Sequence, residues 1–225
     1  MNISQAIVAA MRVVMLAWLP CAPALAASAP FELTAEVVPP SCTPSFSNNG
    51  VVDYGVIAWS TLNQGATLLS ERELSLRVQC DQPALVGLSI RDNRRDSRAD
   101  IAVMGAVRAS ASLLPTEAEQ TLGLGRDGRK QALGYWWLTP VEARADERTA
   151  ALMRSDVRQE GWLQADAAPL DLRYGYGLGT HKALQPASTH VLTLRVGAAL
   201  RGRQALSARE LVQLDGHATV TVFYP

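Results

Sequence analysis

The sequence predicts an all-β domain. Short apolar–polar alternations recur between turn-forming residues, and no segment carries a clean helical stripe. Two cysteines, Cys42 and Cys80, also sit at the borders of such alternations.

The elements follow in order. In residues 31–37, Phe31, Leu33, Ala35 and Val37 point one way and Glu32, Thr34 and Glu36 the other, the signature of a half-buried strand. Pro39-Pro40 stops it. Asn48-Asn49-Gly50 is a strong turn, because these residues tolerate positive φ. Residues 51–57 are β-rich, with a bulge or kink expected at Gly55. Leu74, Leu76 and Val78 alternate with Ser75, Arg77 and Gln79 up to Cys80, and residues 85–90 make a further strand before a polar stretch at 91–100. Residues 191–196 and 218–224 are two late strands. In the last, Val220, Val222 and Tyr224 share a face, and the two valines are expected to be buried. Residues 205–214 could make a helical turn or two, and residues 142–158 have the composition of a short helix. Many short strands with turns between them mean a sandwich or barrel, here one domain enlarged by a middle insertion.

That middle, residues 121–166, holds a glycine-rich run, then Tyr135-Trp136-Trp137, a charged segment and Trp162. Large aromatics in a sandwich are core residues by default, and a sugar- or protein-binding face is the functional alternative.

Composition excludes several classes. The 225 residues carry 21 basic and 21 acidic side chains, so there is no electrostatic footprint for nucleic acid. Residues 1–26 read as a cleaved signal peptide: Arg12, an apolar run at 13–19, then Ala24-Leu25-Ala26. The run is too short to span a bilayer, as is every later one, so no membrane span is expected in the mature chain of residues 27–225. Cleavage removes Cys21 and leaves a cysteine pair. Export to an oxidising compartment makes a Cys42–Cys80 disulfide the expected state, contributing roughly 3–4 kcal/mol. A two-cysteine metal site is the poorer alternative, since no histidine is near either cysteine in sequence.

The sequence offers little chemistry. Gly123-x-Gly125-x-x-Gly128 matches a dinucleotide fingerprint on paper, but a strand rather than a helix follows, so a glycine-rich hairpin is expected. His181, His190 and His217 are scattered in apparent turns or strand ends, and no serine sits in a nucleophile elbow. Asp92, Asp96 and Asp100 alternate with arginines, the composition of a solvated, self-compensating loop. No catalytic residue, metal or cofactor is expected.

In order and spacing these motifs resemble the chaperone–usher pilins. The carriers are the run from Phe31 through Val37 to Cys42, then Val51-Val-Asp-Tyr-Gly-Val-Ile57, Leu74-Ser-Leu-Arg-Val-Gln-Cys80 and the final Ala218-Thr-Val-Thr-Val-Phe-Tyr-Pro225. The chain is most similar to a β-fimbrial branch called a domain of unknown function. In that branch a Pro-x-x-Cys, the phrase Asp92-Asn93-Arg94, the Gly-Leu-Gly segment and a closing Gly-x-Ala-Thr strand occur together.

The resemblance implies an incomplete immunoglobulin-like (pilin-type) β-sandwich, a non-enzymatic structural or adhesive fimbrial subunit. A periplasmic fimbrial chaperone, an outer-membrane usher and other fimbrial subunits would be its partners, and the cell surface its destination. The sequence stops after the strand at 218–224, so the groove of a missing strand is expected to be filled by a partner. Only four residues precede Phe31 after cleavage. Residues 31–37 are therefore either a first strand, the favoured expectation, or a donor; a subunit that donates none belongs at a fibre tip. The assembly strands so named are Phe31, Leu33, Ala35 and Val37 at one end and Val220, Val222 and Tyr224 at the other. The rival reading is a self-contained exported sandwich that binds a sugar or protein ligand.

Overall fold

The computed structural model describes residues 29–100, 114–156, 161–180, 183–206 and 211–225. The expected signal peptide, residues 1–26, lies outside them, as does His181. The chain divides into two compact units, Met1–Val38 and Pro39–Pro225.

In the first unit, residues 29–38 form no regular secondary structure. Phe31, Leu33 and Val37 are 90%, 82% and 91% exposed, and Ala35 is exposed too. The strand expected at 31–37 is not formed within this unit. Alternation states which face a strand would bury; it does not supply the neighbour whose backbone the strand must pair with.

The second unit is two antiparallel sheets packed face to face. The first sheet runs in the order β1 (Cys42–Phe46), β3 (Arg72–Ala84), β12 (Ala187–Leu200), β6 (Gly134–Ala145) and β5 (Leu122–Gly123). Short strands β2 (Thr67–Leu68) and β7 (Arg148–Thr149) pair with β12 and β6. The second sheet runs β13 (Ala218–Phe223), β4 (Gly87–Asp92), β10 (Tyr174–Thr180), β8 (Ala151–Asp156) and β9 (Leu163–Gln164), with β11 (Ala183–Leu184) beside β10. Among the described residues the only helical segments are short 3-10 turns.

The core lies between the sheets. Leu74, Leu76 and Val78 of β3 and Leu192, Leu194 and Val196 of β12 meet Leu88 and Ile90 of β4 and Tyr176 and Leu178 of β10. Period-two alternation does this directly: Arg77 and Gln79, between the buried residues of β3, face solvent. Tyr135 and Trp137 of β6 are 0% and 1% exposed, so these aromatics are core residues. Trp162 stacks on Phe223, ring centroids 6.5 Å apart, and the Phe223 ring lies over Gly87, where a Cβ would come within 2.4 Å of it.

Three further expectations need correction. Residues 142–158 hold the end of β6, β7 and β8 rather than a helix. Asp146 and Glu147, both at positive φ, make the tight turn between β6 and β7. Residues 51–58 form no strand, although Val52, Tyr54 and Ile57 are half-buried, and Gly55, at φ +63°, breaks the run as expected. At 205–214 no helix forms among the described residues.

Candidate functional site: an apolar groove beside an unpaired strand

β13 pairs with β4 along one edge, from Ala218 opposite Asp92 to Phe223 opposite Gly87. Its other edge has no strand partner among the described residues. Beneath that edge, between the sheets, lies a cavity of about 220 Å³. Phe46, Leu74, Leu138 and Val196 line it from the first sheet, Ala218 and Val220 from β13, and Val52 and Tyr54 from the segment after β1. Most of the lining side chains are apolar, with His217 and the Tyr54 hydroxyl among the polar groups. Tyr54 donates its hydroxyl to the Val196 carbonyl at 3.2 Å, and burial pushes its pKa up to about 12, so it stays neutral there.

The Cys42 N–H donates to the Tyr224 hydroxyl at 2.9 Å, tying the start of β1 to the residue after β13, the strand that carries Ala218 and Val220 into the lining. Cys42 and Cys80 stand opposite each other in the β1–β3 ladder and form the expected disulfide. At one end of the groove Leu124, Trp136, Leu214 and Gly216 close the lining. The Trp136 indole N–H donates to the Gly123 carbonyl at 2.9 Å, which fixes the ring against the groove.

Three motifs far apart in sequence meet at that end. An Asp92 carboxylate oxygen accepts from the Gly123 N–H at 2.8 Å. The Asn93 amide donates to the Thr219 hydroxyl at 2.8 Å. The Arg94 guanidinium grips both carboxylate oxygens of Asp215, at 2.8 and 3.2 Å. Asp92 is thus a structural acceptor joining the glycine-rich hairpin to β4, not a member of a solvated loop.

The predicted site residues distribute as follows. Val220 and Val222 are half-buried against the core rather than fully buried, because the groove beside them is open. Tyr224 is 50% exposed with its hydroxyl engaged. His190 lies inside β12, not at a turn, buried, with its Nε2 within 3.1 Å of the Ala84 and Ala187 carbonyls. Sequence reasoning missed the Val52–Tyr54 wall as groove lining; the alternation of 51–57 was the available signal.

A family model described as "Protein of unknown function (DUF1120)" matches residues 31–135. Among curated proteins, this chain is 24% identical over 222 residues to Protein GltF of Escherichia coli (strain K12), covering 86% of this chain and 87% of that one. It is 22% identical over 204 residues to the uncharacterized protein YhcF of the same strain, covering 82% and 85%. A solved structure, the P pilus rod subunit PapA, aligns with 11% identity and a TM-score of 0.35, over 82% of this chain and 99% of that chain.

Proposed function

We propose that this chain is a non-enzymatic structural or adhesive subunit of a surface fimbria, exported through the periplasm and assembled by donor-strand complementation. The observation that carries this is the apolar groove beneath the unpaired edge of β13. A strand laid in it would pair its backbone with β13 and place alternate side chains against Leu74, Val196 and Val220. An unpaired strand edge above an apolar trough is an aggregation hazard in a free protein. A periplasmic chaperone and an outer-membrane usher are the partners that would manage it, with other subunits as the final occupants.

The chain also carries a segment with the pattern of a donor. Phe31, Leu33, Ala35 and Val37 alternate with polar residues in an exposed stretch without secondary structure of its own, and would share one face if it were drawn out as a strand. The tip position expected from the sequence rested on residues 31–37 being a core strand. On the present reading the segment is a donor and the subunit both donates and accepts; a subunit that keeps this segment in its own core would instead belong at a fibre tip.

The test is to titrate a labelled peptide of residues 29–38 into the purified protein. Saturable binding, lost in a Val220→Arg variant that keeps its circular dichroism spectrum, is the expected result. A stable monomer that ignores the peptide would instead identify a self-contained ligand-binding sandwich.

A further inference from the structure

A second cavity, of about 230 Å³, opens on the opposite side of the sandwich, where β8 and β10 face the turn at Ala118–Gln120. Its wall is charged: Glu117, Asp166 and Asp171 with Arg154 and Arg173, beside Tyr174. We propose that it is a binding site for a single neutral pyranose-type sugar ring. The inference uses the fold alone and does not depend on the donor-strand reading.

The polar groups are held before any ligand arrives. Arg173 forks onto Asp171, with Nε 3.0 and 3.1 Å from its two carboxylate oxygens, and reaches Glu117 at 2.7 Å. The Tyr176 hydroxyl accepts from the Asp171 N–H at 2.7 Å and donates back to its carbonyl at 3.1 Å, which fixes the loop. Gln120 accepts through Oε1 from the N–H groups of Thr116 and Glu117, at 2.8 and 3.2 Å, which fixes the turn. The guanidinium carbons of Arg154 and Arg173 lie 5.0 and 5.8 Å from the Tyr174 ring centroid. Side chains ordered in advance cost less entropy on binding.

The charge balance selects the ligand class. Three carboxylates and two guanidinia nearly cancel, so no strong field favours an ion. Carboxylates only accept and guanidinia only donate. A neutral ligand satisfying both must offer both from neighbouring atoms, as the hydroxyls of a polyol do. The outer carboxylates, Glu117 and Asp166, are 59% and 79% exposed at their side chains, so their acceptor oxygens remain accessible. The volume falls below the roughly 300–1,000 Å³ of drug-sized sites, which fits one ring rather than an oligomer.

Saturation-transfer NMR on the full chain, with methyl glucoside, methyl galactoside and N-acetylglucosamine against glucuronate and glucosamine, tests this. At least one neutral ring should bind at up to about 10 mM. That binding should weaken by roughly ten-fold or more in Arg154→Met and in Glu117→Ala. Both positions are on the rim, and near-ultraviolet circular dichroism checks that each variant is folded. Binding should be unchanged in Val220→Arg, which separates this cavity from the groove. Binding of the charged sugars alone, of no sugar, or of a neutral sugar with equal strength to both rim variants would overturn the proposal.

Discussion

Tyr224 shows how much one hydroxyl can hold. It accepts from the Cys42 N–H and so links the edge of one sheet to the edge of the other. Tyr224→Phe keeps the ring and removes only that acceptor. The expected loss is about 1 kcal/mol, seen as a melting temperature lower by about 2–4 °C. His190 gives a pH dependence. Burial lowers its pKa below the usual 6.5, outweighing the Ala84 and Ala187 carbonyls that favour the charged ring. The folded protein therefore resists protonation that the unfolded chain accepts. Stability is intact above about pH 6.5 and declines as the pH falls below it, levelling off under the folded pKa. Urea titrations at several pH values between 8 and 5 would show this slope as an order-of-magnitude trend, and His190→Gln should flatten it. At Asp171 burial raises the pKa, but the hydrogen bonds and charge of Arg173 outweigh it and lower it overall, so its contribution fails only in stronger acid, as the pH falls below 3.8.

At the scale of elements, β1 is a lightly packed edge of the first sheet. It is five residues long, sits at an edge, and buries neither Thr43, Pro44 nor Ser45. Its ladder to β3 and the Cys42–Cys80 bond hold it. Cys80→Ser should cost about 2–5 kcal/mol, and amide exchange should show protection lost first in β1. The segment at 29–38 should behave in the opposite way. Because Leu33 is 82% exposed, Leu33→Asp should leave the melting temperature within about 1 °C of wild type, while a peptide of residues 29–38 carrying it should no longer bind the groove. These contrasts mark what the sequence could tell. β3, β4, β12 and β13 were legible because one face of each meets the core, so period two appears in the residues themselves. Residues 31–37 carry the same pattern without forming a strand, and 51–57 carry it without a ladder. The Asp146–Glu147 turn was hidden because neither residue is the glycine or asparagine that usually takes positive φ. The groove was legible only as the place of a missing strand; its lining, drawn from both sheets, depends on pairings that no local pattern encodes.

At the largest scale, the second unit is a sandwich whose middle strand, β12, joins everything in the first sheet. It pairs with β3 on one side and β6 on the other, and Leu194 at its centre is 1% exposed. Leu194→Ala should cost about 2–5 kcal/mol, measurable by chemical denaturation, because neighbours on both sheets cannot collapse into the space. The strand order has a temporal side as well. β3 and β4 leave the ribosome long before β12 and β13, the strands they pair with, and a wide gap in sequence separates Asp92 from Ala218 opposite it. Neither sheet can close until the chain is nearly finished. Non-local pairing of this kind folds slowly, in milliseconds to seconds or longer, with loop closure paid before any contact rewards it. A stalled chain that ends before residue 187 should lack the protection from proteolysis that the finished chain has, even though β1, β3, β4, β6, β8 and β10 are all present in it.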